Sequence, residues 1–158
     1  MLDFENHKNA RVRHAYRIAQ EAHRHQRDKA GADYINHPMK VASNVGDDVS
    51  AIIIALLHDV IEDHPDKYNL NILKHEVHLS VCEVEALRLL THDKRVKYFD
   101  YIAKIKPNEL AKTVKLADLA HNSDRSRLED ATPKDEKRLK KYEEAIAILN
   151  GTENANAD

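Results

Sequence analysis

The residues best equipped for chemistry in this chain are His58-Asp59 and, just after them, Glu62-Asp63. They close an apolar run over 51–57 that reads as a helix buried on nearly all sides. If that helix continues, residues four apart share a face, so His58 stacks over Glu62 and Asp59 over Asp63. An imidazole beside a carboxylate in apolar surroundings loses its water and needs compensation. A divalent metal ion compensates both ligand types at once; a core histidine bonded to a local carboxylate is the plainer alternative. An adjacent His-Asp pair reaches one ion only where neighbouring helices add ligands, and His37 and Asp118 are the candidates, each set in local apolar sequence. Two imidazoles and two carboxylates form a mixed nitrogen and oxygen site suited to Mn²⁺, with Fe²⁺ or Zn²⁺ as alternatives. A six-coordinate ion held by four side chains keeps about two positions for water and substrate oxygens. Lys115, one turn before Asp118, either neutralises phosphate or is an ordinary surface lysine.

The elements that must position these groups all read as helices. Val12, Ala15, Ile18, Ala19 and Ala22 recur at helical spacing, predicting a helix over 10–26 that ends near Gly31. Asn36 is placed to cap a helix with Pro38 in its first turn. Asp47, Asp48 or Ser50 caps the central apolar helix. Further helices are expected over 70–77, 81–90, 98–105 and 109–121, with breaks at 64–69, 93–97 and 106–108. Pro133 opens a charged helix running to about Leu149, and residues 151–158, without apolar content, read as a disordered tail. Residues 1–150 are expected to form one domain.

Composition supports an all-α fold and removes several function classes. The 158 residues contain only 3 Gly and 4 Pro, too few for the frequent turns of a sheet protein, and 33% are charged. Net charge is -2 with no basic block, so no duplex nucleic acid footprint is expected. No apolar run approaches the roughly 20 residues of a membrane span, and the start lacks a signal-peptide pattern. A lone Cys82 cannot form an internal disulfide, which fits a reducing, cytoplasmic setting. Oligomeric state is not legible.

Three sequence blocks carry a resemblance: Gly-Ala-Asp-Tyr-Ile-Asn-His-Pro ending at Pro38, Ala-Leu-Leu-His-Asp-Val-Ile-Glu-Asp ending at Asp63, and Val-Lys-Leu-Ala-Asp-Leu-Ala-His-Asn ending at Asn122, with Ala22-His23 ahead of them. In this order they resemble the HD-domain metal-dependent phosphohydrolases. Within these the chain is most similar to the hydrolase domain of RelA/SpoT-type alarmone (ppGpp) enzymes and to the small stand-alone alarmone hydrolases. The resemblance implies a helical HD bundle in which His37, His58, Asp59 and Asp118 bind one Mn²⁺-like ion. It implies that Glu62 and Asp63 position and deprotonate the attacking water, and that Asn122 contacts the nucleotide sugar and phosphate. The implied reaction is 3′-pyrophosphohydrolysis of guanosine-3′,5′-bis(diphosphate). Alternatives are an HD phosphatase for another nucleotide or small phosphate ester, and a nucleotide-binding HD domain without turnover.

Departures from the pattern concern recognition. His64 stands where the family usually has Thr. The position of the guanine-stacking basic residue holds Asp28, flanked by Arg27 and Lys29; an acid there gives no cation–π stacking and repels polyphosphate. Arg27, Lys29 or Arg125 are the substitutes expected to meet the base and phosphates, and Asp28→Arg is expected to improve alarmone binding. His75, His78 and His92 are expected on the surface, His23 and His121 beside the site, and Tyr98 and Tyr101 in the core or the pocket wall.

Overall fold

A computed structural model of the chain describes residues 1–124, 126 and 130–152. The nearly uninterrupted apolar run around Ile53 decides the architecture, because a helix without a polar face has to be enclosed. It forms α3 (Val49–Leu57), and each of its residues from Ala51 to Leu57 is at most 2% exposed. Enclosure comes from α1 (Ala10–Ala22), α2 (Asn36–Ala42), α6 (Val81–Leu90) and α8 (Glu109–Asn122), all of which pack on α3. Full burial of each Ile or Leu contributes about 1.5–3 kcal/mol, so this helix is the main apolar anchor. Around it lie the short α4 (Val60–Asp63) and α5 (Leu70–Val77), then α7 (Tyr98–Ile105) and α9 (Pro133–Asn150), which pack together at the far side of α8. No strand occurs among the described residues; Arg27 and Asp33 form one isolated bridge. No helix among them is long and apolar enough to cross a membrane.

Local sequence explains the helix ends. Asn9, Asp48, Asn69 and Asn108 accept N–H groups of the first turns of α1, α3, α5 and α8, the role short polar side chains fill at N-caps. Ser80 with Glu83 and Thr132 with Asp135 form reciprocal capping boxes. Pro133 starts α9, and Gly151, at φ 72°, ends it in the left-handed region that a Cβ disfavours. Of the expected tail only Gly151 and Thr152 fall within the described residues.

Three expectations need correction. Asn36 does not cap α2: it is the first residue of that helix, Ile35 stands at the cap position, and no side chain bonds the end. The first helix stops at Ala22, not near residue 26, because beyond His23 the backbone N–H groups of Arg24 and Gln26 bond three residues back, to Glu21 and His23, and the chain tightens into turns. The helix bearing His58 to Asp63 is also not continuous. His58 Nδ1 donates to the Ala55 carbonyl (2.5 Å), and the chain passes through a turn at His58-Asp59 before α4 begins. Side chains that compete for backbone carbonyls in this way loosen a helix locally. The turn places His58 and Asp59 side by side, with His58 Nε2 3.1 Å from Asp59 Oδ2.

Candidate metal centre

Three elements converge on one buried point. α2 delivers His37, the α3–α4 turn delivers His58 and Asp59, and α8 delivers Asp118. His37, His58 and Asp118 are each 4% exposed. One ligand-capable atom from each of His37, His58 and Asp59 lies within 4.8 Å of the others. Asp118 Oδ1 closes the group, 2.8 Å from His37 Nε2 and 3.5 Å from His58 Nε2. The four side chains singled out from sequence are therefore brought together.

The protons of this cluster test whether a cation fits it. A carbonyl only accepts, so His58 Nδ1 carries a proton toward Ala55. In the neutral imidazole Nε2 is then a lone pair, buried and without a hydrogen-bond partner. It faces carboxylate oxygens of Asp59 and Asp118, which are lone pairs too. Acceptors aimed at acceptors in a dry site repel unless a positive charge lies among them. With protons alone, the imidazolium of His58 is that charge. Burial opposes it, but Asp59 and Asp118 outweigh burial and hold the His58 pKa well above its ordinary value. Against burial, the same attraction keeps Asp59 low, and Lys115 first, then His37 and His58, keep Asp118 low. A divalent ion meets these demands with more charge, and the donor set of imidazole and carboxylate suits it.

A second layer fixes each of these groups. Tyr34 O–H donates to Asp59 Oδ2 (2.6 Å), Lys115 Nζ to Asp118 Oδ2 (2.8 Å), and Asn122 Nδ2 to Asp118 Oδ1 (3.1 Å). His121 Nδ1 lies 2.6 Å from His37 Nδ1 with the rings stacked, which orients His37 Nε2 inward. Such outer partners set ligand orientation and basicity. Lys115 is thus no surface lysine: its side chain is 12% exposed and its charge is committed to Asp118.

Glu62 and Asp63 stand on α4 at the mouth of the site. Glu62 Oε1 accepts the His92 backbone N–H (2.7 Å), and Asp63 Oδ2 accepts from Gln26 Nε2 (2.9 Å). Gln26 Oε1 meets both His23 Nδ1 and His64 Nε2. Both carboxyls reach solvent, yet the cleft walls crowd them and raise their pKa values above the ordinary range, burial being the largest cause. A carboxylate with raised pKa is a better proton acceptor near neutrality. His92, expected on the surface, instead lies in this wall with its ring stacked on Tyr101 (4.3 Å). Its neighbours in sequence are polar, so nothing in the local pattern marks it. His75 and His78 are exposed as expected.

Two cavities flank the cluster. One, of about 330 Å³, holds Glu62, Asp63, Tyr98, Lys115 and Lys141; the other, of about 250 Å³, holds Arg27, Asp28, Lys29 and Arg138. Tyr34, Asn122 and Tyr142 line both. Arg27 pairs with Asp33 (2.9 Å), and Arg125 lies outside the described residues. The role expected for Asp28 changes: its Oδ1 accepts the N–H groups of Ala30 and Ala32 (2.9 Å each), so it braces its own loop. Asp28→Arg therefore removes a brace as well as a negative charge, and a gain in binding no longer follows. Arg138, Lys141 and Tyr142 were not anticipated, because α9 reads as a charged outer helix and only the packing of α9 on α7 and α8 turns them inward.

No known family profile matches the chain. Curated proteins do. It is 44% identical over 61 residues to the bifunctional (p)ppGpp synthase/hydrolase SpoT of Escherichia coli, covering 37% of this chain and 9% of that protein. It is 38% identical over 117 residues to the guanosine-3′,5′-bis(diphosphate) 3′-pyrophosphohydrolase of Haemophilus influenzae, covering 66% of this chain and 17% of that one. A protein of the same name from Aquifex aeolicus is 43% identical over 60 residues, or 36% of this chain and 9% of the relative. The chain thus matches less than a fifth of the length of these relatives. The similarities support a relationship to RelA/SpoT-type hydrolases.

Proposed function

We propose that this chain, related to part of the RelA/SpoT-type hydrolases, is an HD-type metal-dependent phosphohydrolase. Its favoured substrate is the 3′-pyrophosphate of guanosine-3′,5′-bis(diphosphate). The observation that carries the reading is the buried meeting of His58 Nε2 with the oxygens of Asp59 and Asp118, a group that needs a positive charge at its centre and whose imidazole and carboxylate donors suit a divalent ion. His37, His58, Asp59 and Asp118 would hold it, Mn²⁺ being first choice. A bound divalent ion supplies Lewis acidity, which lowers the pKa of water and offsets phosphate charge.

The remaining work falls to the chain. Glu62 and Asp63, next to the cluster but tied to His92 and Gln26, orient the attacking water and take its proton at a carboxylate oxygen. Asn122 holds Asp118 and faces the same cavity, where it meets sugar and phosphate oxygens, while Lys115 spends its charge on Asp118 and acts on the substrate through that carboxylate. Arg27 and Lys29 on the second cavity meet the base or outer phosphates.

The commitment of Asp28 to its loop favours a second reading, an HD phosphatase for another nucleotide or small phosphate ester, since no basic side chain occupies that stacking position. Incubating the protein and Mn²⁺ with a panel of phosphorylated nucleotides separates the two. Release of pyrophosphate from guanosine tetraphosphate, abolished by chelator, is the expected result. Ready cleavage of other nucleotides with none of the alarmone would establish the second reading, and no turnover of any would overturn both.

A further inference from the structure

The 330 Å³ cavity is lined by four carboxylates, Asp59, Glu62, Asp63 and Asp118, a poor lining for an anionic substrate. Most donors facing it are committed to the fold. Tyr34 donates to Asp59, Asn122 and Lys115 to Asp118, and Tyr101 O–H to the Leu90 carbonyl (2.6 Å). Two are not. Tyr98 O–H is buried with no hydrogen-bond partner, although Tyr101, one turn along the same helix, has one. Lys141 of α9, an exposed residue at the edge of the cavity, lies over the rings of Tyr98 (4.5 Å) and Tyr142 (5.7 Å). Among the described residues it makes no ion pair with a carboxylate, whereas Lys115 does.

Ring faces and carboxylates hold an ammonium with different consequences. A carboxylate neutralises it; an aromatic face attracts it through the ring quadrupole and leaves the full charge in place. The Tyr98–Tyr142 cage thus positions Lys141 while keeping its charge for a ligand. Burial pushes the Tyr98 phenol up to about 12, so it stays a neutral donor, which an anion requires. We propose that Tyr98 and Lys141 form an oxyanion subsite for the phosphate or pyrophosphate group that is released, supplied by α7 and α9 to the cavity that Glu62 and Asp63 also line. The subsite extends the phosphohydrolase reading and rests on it only for the name of the group bound. Charge-assisted hydrogen bonds fix such a group more strongly than neutral ones.

Calorimetric titration of Mn²⁺-loaded protein with inorganic pyrophosphate, and separately with inorganic phosphate, tests it. Tyr98→Phe removes one O–H and keeps the ring cage; Lys141→Gln removes the charge. Each is expected to weaken pyrophosphate about tenfold, the worth of one hydrogen bond to a charged group, with Mn²⁺ content and melting temperature unchanged. Lys141→Arg should restore most of the affinity, and Lys140→Gln, one residue away, should change little. Unaltered affinity in Tyr98→Phe and Lys141→Gln, or an equal loss in Lys140→Gln, would overturn the subsite. Pyrophosphate binding with these sensitivities but no nucleotide turnover would support the subsite and refute the hydrolase. Turnover with pyrophosphate affinity indifferent to both residues would do the reverse.

Discussion

Glu83 and Asp118 are both carboxylates buried to within a few per cent of complete enclosure, yet their surroundings differ in one respect. Glu83 receives Arg11 through both oxygens (2.8 and 3.1 Å), the Ser50 hydroxyl (2.6 Å) and the Ser80 N–H (2.8 Å). Its charge is answered by its own chain, joining α1, α3 and α6. Asp118 has Lys115 at its Oδ2 (2.8 Å), but its Oδ1 sits with Asp59 and two imidazoles in a group with more acceptor atoms than protons to place between them. A buried carboxylate with a complete donor set ties helices together, and one left short of positive charge binds something. The contrast separates structural from functional charge more sharply than burial does.

The largest expected effect comes from removing an acceptor on the deficient side. His58→Ala should bring metal content and hydrolysis to background while the protein still folds, checked by elemental analysis and circular dichroism. A variant that keeps its metal would break the comparison. Next is Glu62→Gln, expected to retain metal but lower turnover about a hundredfold or more, the range for a positioned base. If it strips metal as thoroughly as His58→Ala, the division between ligands and proton acceptors is wrong.

The Glu83 side should respond in stability alone. Arg11→Ala leaves a buried carboxylate short of its main partner and should cost about 3 kcal/mol in denaturant unfolding, with metal content of the folded protein unchanged. Acid should expose the same bond more gently. Burial alone would raise the Glu83 pKa, but Arg11, Ser50 and Ser80 outweigh it and hold it at about 2, against an ordinary 4.5. Because the folded value is the lower one, the contribution is complete above about pH 4.5 and is lost as pH falls toward 2. Wild type should therefore lose more stability over that interval than Arg11→Ala; parallel pH curves would show that the pair contributes nothing.

Much of this was legible in sequence, for identifiable reasons. The apolar run around Ile53 could only be an enclosed helix, and Asp48 and Pro133 mark helix starts by local chemistry. The grouping of His37, His58, Asp59 and Asp118 was expected because apolar surroundings make such residues costly without a shared partner. The break at His58-Asp59 was not, since it depends on one imidazole N–H reaching the Ala55 carbonyl. The inward faces of Lys141 and Tyr142 depend on how α9 lies across α7 and α8, and a charged helix gives no sign of that. Glu83 likewise reads as an ordinary capping-box acid until Arg11, 72 positions away, is seen beside it.

The central claim is that the His37–His58–Asp59–Asp118 group is completed by a divalent cation. Calorimetric titration of Mn²⁺ into chelator-stripped protein tests it most directly. The account predicts saturable binding at about one ion per chain, lost in His58→Ala and kept in Arg11→Ala. No saturable binding by the stripped wild-type protein, or binding unchanged in His58→Ala, would contradict it.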